Sequence, residues 1–228
     1  MKPVTAILDY NAGNVESMRL ALDHVGANPV ITSDPAVIDS AERLVFPGVG
    51  SAAQCMENIR ARGFDPILAD AMREGKPVLA VCIGIQLLFD RSEEDGGVDS
   101  LSLFPGRSVR FIQPSDDKTV KVPHMGWNRV TILAAHPLLP PAGEERDFYF
   151  VHSYYPVPAW DEPSVVHDPE KPNREIGRVY GKSDHSGSVF AAIVGMKSFL
   201  AAQFHPEKSG AAGLDMLERF SRWDGLPC

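Results

Sequence analysis

Cysteine is scarce in this chain: Cys55, Cys82 and Cys228 are the only three in 228 residues. So small and odd a set argues against a disulfide framework, and with it the small secreted scaffolds that depend on one. Long apolar runs are missing as well. The longest, Val78 to Ile85, is far too short to span a bilayer. Near the N-terminus a single Lys is followed by an apolar stretch that Asp9 interrupts, a poor match to a secretory signal. Basic charge is outweighed, with 22 Lys+Arg against 30 Asp+Glu and a net charge of −8. That balance is the wrong sign for a general binder of nucleic acid. The histidines show no i, i+4 spacing and no cysteines are paired, so no metal set is visible, and there is no P-loop. These absences leave a soluble, cytoplasmic globular protein, long enough to bury a core without staples.

What is present alternates between two periodicities. Val4 to Leu8 reads as a buried strand, and Asp9-Tyr10-Asn11-Ala12-Gly13 as a turn. Asn14 then caps a helix with apolar positions Val15, Met18, Leu22 and Val25 that stops at Gly26. Further strands are expected at Pro29 to Thr32, Leu44 to Phe46 and Val78 to Val81. Helices are expected through Met56 and Ile59, from Pro66 (capped by Asp65, stopped by Gly75), and over Gln86 to Phe89. Strand–helix alternation implies a parallel, doubly wound α/β sheet with helices on both faces. The second half reads as strands at 109–112, 129–133, 148–151, 189–194 and 200–204, then a closing helix over 214–223. This pattern predicts antiparallel strands added to the parallel half. The proline-rich stretch from Pro156 to Ser188 reads as a long surface excursion with room for brief strand pieces.

Three segments suggest chemistry. In Val81-Cys82-Ile83-Gly84 a cysteine stands where a buried strand turns into a helix, which would expose its sulfur near backbone N–H groups and favour the thiolate. The alternative is an ordinary buried small hydrophobe. Ala80 stands where the strand–nucleophile–helix pattern usually has its first glycine. His205-Pro206-Glu207 ends the last predicted strand with a base and a carboxylate two apart, which in an extended chain face one side. Pro206 is expected to hold that stretch extended. Both pieces would then lie at carboxyl ends of strands, where open α/β sheets place ligands. The third segment, Pro47-Gly48-Val49-Gly50, is a strand-to-helix loop suited to an oxyanion hole. It also fits a dinucleotide fingerprint, Gly48-x-Gly50-x-x-Ala53. Against that reading, it follows the third strand rather than the first, Pro47 intervenes, and the acidic Asp70 falls within a helix.

Together these segments make the chain similar to the class I (triad) glutamine amidotransferases. Asp9 to Asn14 (DYNAGN), Val122 to Asn128 (VPHMGWN), Tyr149 to Tyr154 (YFVHSY) and Gln203 to Gly210 (QFHPEKSG) make it resemble, within them, the glutaminase subunits of imidazole glycerol phosphate synthase. The resemblance runs from the first strand to the last helix. It implies one glutamine amidotransferase domain over residues 1–228, with a flavodoxin-like, mostly parallel open sheet. It implies a Cys82–His205–Glu207 triad that hydrolyses L-glutamine through a γ-glutamyl thioester. Ammonia would then pass to a separate (β/α)₈-barrel cyclase subunit of histidine biosynthesis, forming a heterodimer. No cofactor is called for. Val49 or Gly50, with Ile83, would supply oxyanion N–H groups after the loop rearranges. Gln86, Ser153 and Tyr154 would hold glutamine, and Asn14, Trp127, Tyr149 and Lys208 would lie at or near the barrel.

Taken one at a time, the last set has plainer readings: Trp127 and Met125 as core, Tyr149 as a strand residue, Lys208 as a solvated charge. Nothing in the sequence marks His124 or His152 as catalytic. Two features depart from the family pattern, Ala80 and the length of the Pro156–Ser188 stretch. Other readings of the whole are a self-sufficient cysteine peptidase or γ-glutamyl hydrolase on the same fold, and a scaffold with a dead site. The first would show strong peptide cleavage without a partner; the second would lack a triad member, whereas all three are present.

Overall fold

The computed structural model describes residues 3–112, 121–160 and 177–226. Four parallel strands open the chain: β1 (Val4–Leu8), β2 (Asn28–Thr32), β3 (Arg43–Phe46) and β4 (Val78–Val81). Helices α1 (Val15–His24), α2 (Pro35–Ser40), α3 (Ala52–Ala61) and α4 (Phe64–Glu74) fall between them, and α5 (Ile83–Leu87) follows β4. Short strands β5 (Arg91–Ser92) and β6 (Val98–Asp99) come next, then β7 (Gly106–Arg110), β8 (His124–Ile132), β9 (Glu145–His152) and β10 (Tyr154–Pro158). The chain closes with β11 (Arg178–His185), β12 (Ser188–Met196), β13 (Phe199–Ala202) and α6 (Gly210–Phe220).

One nine-stranded sheet runs in the order β2-β1-β3-β4-β13-β12-β11-β8-β9, and a smaller one in the order β10-β7-β5-β6. The first five strands of the large sheet are parallel and the remaining ladders are antiparallel. The parallel strands are buried on both faces, so successive residues serve opposite cores. Ala6, Leu44, Val78 and Phe199 pack with α3 and α4 residues such as Met56 and Leu68. Ile7, Val45, Leu79 and Leu200 pack with Met18 of α1 and Met216 of α6. This sandwich holds β4 and β13 side by side in the centre, and their carboxyl ends carry Cys82 and His205. No helix of the described residues is long and apolar enough to cross a membrane.

Several local expectations change. Asp65 does not cap α4; Gly63, left-handed at φ 65°, starts the helix at Phe64. The helix after Cys82 begins at Ile83, three residues early, because the turn at Cys82 is tighter than a loop. The strand pieces allowed within the Pro156–Ser188 stretch are present, and one is not brief: the stretch begins within β10 and contains all 8 residues of β11. Pro156 and Pro158 are tolerated because β10 is an edge strand, where a missing N–H breaks no inner ladder. β11 escaped the apolar pattern because its buried positions include Gly181 and Ser183, whose hydroxyl donates to Arg129 O at 2.7 Å. Pro163, Pro169 and Pro172 of that reading, like Cys228, lie outside the described residues.

Candidate active site

Cys82 is held in a conformation that side chains avoid, φ 56° and ψ −110°. Such a strained non-glycine residue is a mark of functional sites. Its N–H continues the β4–β13 ladder by donating to Ala202 O at 2.9 Å, so the strain falls on the turn rather than on the strand. The sulfur, 6% exposed as a residue, points to Val151 O at 3.7 Å. A side chain on Gly84 would collide with Phe46 O, and it would come within 3.5 Å of the Ala80 methyl. The Ala80 methyl lies at ordinary contact distance, so the alanine in place of glycine is accommodated, and it is Phe46 O that requires glycine at position 84.

His205 and Glu207 meet differently from the extended arrangement expected. Residues Pro206–Lys208 form a 3₁₀ turn with Pro206 in its first position, where a proline lacks only an N–H that would be unpaired anyway. Lys208 N–H donates back to His205 O at 3.0 Å. The turn brings Glu207 Oε1 to 2.7 Å from His205 Nδ1, and both side chains are fully buried. The main chain of His205 is fixed by its backbone N–H, which donates to Tyr149 O at 2.9 Å. His205 Nε2 is buried and has no hydrogen-bond partner among the described residues. Burial opposes charge on this ring, but the Cys82 sulfur and the Glu207 carboxylate outweigh it and push the His205 pKa up to about 10.

A pocket of about 310 Å³ opens over the sulfur, at the lower end of the range for small-molecule sites. Val49, Gly50, Cys82, Ile83, Gln86, Ser153 and Tyr154 all line it, which brings the predicted oxyanion and glutamine residues together. Ile83 is the first residue of α5, so its N–H has no acceptor within the helix. Val49 N–H is turned the other way and donates to Ala12 O at 2.7 Å. Pro47 O accepts from the buried Tyr10 hydroxyl at 2.5 Å, and a side chain on Gly48 would strike that hydroxyl and Ile83. Gln86 Nε2 donates to Tyr154 O at 2.8 Å and to Gln203 Oε1 at 3.1 Å.

Sequence reasoning missed two elements at the pocket. Glu94, between the two-residue strands β5 and β6, lines the pocket, while its Oε2 accepts from Ala52 N–H at 2.8 Å and anchors α3. Burial raises its pKa, against that hydrogen bond. The second element is a chain of histidines on the β8–β9 ladder, where His124 and His152 are direct cross-strand partners. Tyr154 O can only accept, so His152 Nδ1, at 2.8 Å, must donate. Burial holds His152 neutral, with its pKa pushed down to about 3, so its Nε2 accepts from His124 Nδ1 at 3.0 Å. His124, lowered to about 4 by burial and His185, in turn accepts from Asn128 Nδ2 at 3.1 Å.

The remaining predicted residues gather on one side of the triad. Trp127, 59% exposed, packs edge-on against Tyr149 at 6.1 Å, and Met125 is 64% exposed. The reading of both as core is thus overturned: on β8 they alternate to the outer face. Lys208 is exposed beside Glu207. Asn14 is the N-cap residue of α1, as expected, but its side chain makes no cap hydrogen bond and crosses to Glu207. Asp70, the acidic residue of the dinucleotide reading, is paired with Arg73 on the exposed face of α4. Among the described residues no group of His, Cys, Asp and Glu is arranged to hold a metal.

Residues 6–222 match the family model described as glutamine amidotransferase class-I. The chain is 45% identical over 224 residues to the imidazole glycerol phosphate synthase subunit HisH of Pseudomonas savastanoi pv. phaseolicola, covering 96% of this chain and 97% of that one. It is 43% identical over 229 residues to the subunit HisH 1 of Pseudomonas aeruginosa, covering 99% of each. Among solved structures, PurLQS from Thermotoga maritima superposes with a TM-score of 0.69 at 18% identity, covering 96% of this chain and 98% of that one. The glutaminase domain of Trypanosoma brucei CTPS superposes at 0.63 and 16%, covering 97% and 95%; both show the shared fold. The chain belongs to the class-I glutamine amidotransferase family.

Proposed function

We propose that this chain is the glutaminase subunit of an imidazole glycerol phosphate synthase, a single amidotransferase domain working in the cytoplasm. Its identity of 43–45% to HisH subunits over nearly the full length supports that reading at the level of the whole protein. At the level of the site, one observation carries it: a cysteine on a strained strand-to-helix turn, beside a buried histidine that holds a carboxylate at 2.7 Å.

The chemistry follows from the atoms. Proton transfer from the Cys82 thiol to His205 Nε2 gives the ion pair that the raised His205 pKa favours, and the Cys82 sulfur then attacks the side-chain carbonyl carbon of L-glutamine. Glu207 stabilises the imidazolium so formed and keeps Nδ1 as the donor. The oxyanion is received by Ile83 N–H and by the Val49–Gly50 loop once Val49 leaves Ala12. His205 then returns its proton to the leaving nitrogen, ammonia departs, and water cleaves the thioester to glutamate. Gln86, Ser153 and Tyr154 hold the substrate, and the Glu94 carboxylate faces its α-ammonium group. Ammonia is passed to a (β/α)₈-barrel cyclase subunit, which makes imidazole glycerol phosphate and the aminoimidazole carboxamide ribotide. Trp127, Tyr149, Lys208 and Asn14 form the docking side. With that subunit bound, Cys82→Ala should abolish glutamine-dependent synthesis and spare synthesis from ammonium salts. Peptide hydrolysis by the chain alone, with no gain from the barrel subunit, would refute the proposal.

A further inference from the structure

Asn14 stands at the N-cap of α1 at φ 60°, a left-handed conformation rather than the extended one from which an asparagine ordinarily caps its own helix. Its side chain makes no cap. Nδ2 instead donates to Glu207 Oε1 at 2.5 Å, the oxygen that also receives His205 Nδ1 at 2.7 Å, and it lies 3.4 Å from that ring nitrogen. The backbone that delivers it is unusual: Asn11, Gly13 and Asn14 all have positive φ within one turn. Glu207, for its part, stands on a 3₁₀ turn, and its second oxygen, Oε2, is buried without a partner. Asn14 and His205 are therefore the only side chains among the described residues that donate to this carboxylate. A carboxylate so lightly held is free to rotate off the imidazole unless a second donor fixes it.

We propose that Asn14 is a positioning residue of the triad: its amide pins Glu207 Oε1 against His205 Nδ1 and so keeps the imidazole aimed at Cys82. The proposal rests on the glutaminase reading above. An amide suits the role because it donates without charge. A lysine or arginine there would compete with the imidazolium for the carboxylate, and an aspartate would set a like charge beside it.

Asn14→Gly removes the amide but suits the left-handed backbone, so it is expected to fold; Asn14→Asp keeps the shape and adds charge. In the complete complex at saturating barrel subunit, Asn14→Gly should lower kcat for glutamine about 10- to 100-fold, the usual effect of losing an orienting neighbour. KM for glutamine should stay unchanged, because the substrate contacts lie elsewhere. Asn14→Asp should lose more than Asn14→Gly at neutral pH and recover as the pH falls and the carboxyl pair takes up a proton. In the isolated chain, the His205 imidazole followed by NMR should titrate lower in Asn14→Gly than in the parent, whatever the activity. An unshifted His205 titration, or a change confined to KM, would overturn the proposal. A parent protein without glutaminase activity would sink the functional reading, yet the His205 titration would still decide the role of Asn14.

Discussion

Two buried histidines within one molecule behave in opposite ways. His205 is 0% exposed and its pKa is pushed up to about 10, whereas His152 is 5% exposed and its pKa is pushed down to about 3. Burial alone neutralises an imidazole, as it does for His152, where the hydrogen bond to Tyr154 O only partly offsets it. At the end of β13, the Cys82 sulfur and the Glu207 carboxylate facing one ring overturn that penalty. The two regions also divide the work. The parallel half supplies a strained turn and a charged ring; the antiparallel half supplies a neutral, fully paired wall that shapes the pocket.

Substitution at the charged end should give the larger effects. His205→Ala should reduce glutamine-dependent kcat by about 10²–10⁴, the span typical of a lost general acid–base. Glu207→Gln should cost less, because it removes orientation and charge support and leaves the base. It should also lower the His205 titration seen by NMR, since one of the two groups that raise it is gone. An equal or larger loss for the glutamine variant would assign Glu207 a different task.

At the neutral end the effect moves from rate to fit and stability. His152→Phe keeps the aromatic packing against Phe150 and Phe190 but strands the His124 donor. Destabilisation of roughly 1–3 kcal/mol is expected from a buried polar group left unpaired. KM for glutamine should rise more than kcat falls, because Tyr154 loses one of two groups that fix its carbonyl. Urea titration and steady-state kinetics would separate the two effects.

A further effect is the dependence of stability on pH, and here the regions oppose each other. An unfolded histidine takes its proton near 6.5. His152 and His124 accept theirs in the fold only near 3 and 4, so their contribution is lost as the pH drops below about 6.5. His205 keeps its proton up to about 10, so its contribution is present below 6.5 and lost as the pH climbs towards 10. Melting temperature should therefore decline on both sides of neutrality. His205→Ala should flatten the alkaline decline alone, and His152→Phe the acid decline alone.

The same division explains what could be read from the amino-acid order. Strands buried on both faces are continuous apolar runs, and β1 and β4 begin and end where the pattern placed them. Cys82 and His205 were legible because they terminate such runs. β11 was not, since its inward positions include glycine and serine, and β5 and β6 are two residues each. The His124–His152 link lies between residues 28 apart in sequence and exists only through the β8–β9 register. The inward alternation of both strands was its one local trace. Glu207 was found for a partly mistaken reason, since Pro206 starts a 3₁₀ turn rather than holding an extended chain.

Cys82 as the covalent nucleophile is the central claim, and Cys55 is its internal control. Cys55 is buried, and burial with nearby Glu94 raises its thiol pKa to about 11. The direct measurement is acid quenching of the complete complex during glutamine turnover, followed by peptide mass mapping. The account predicts a γ-glutamyl thioester on the Cys82 peptide and none on the Cys55 peptide, with no adduct in Cys82→Ala. Glutamine turnover by the Cys82→Ala protein, or an adduct on Cys55, would contradict it.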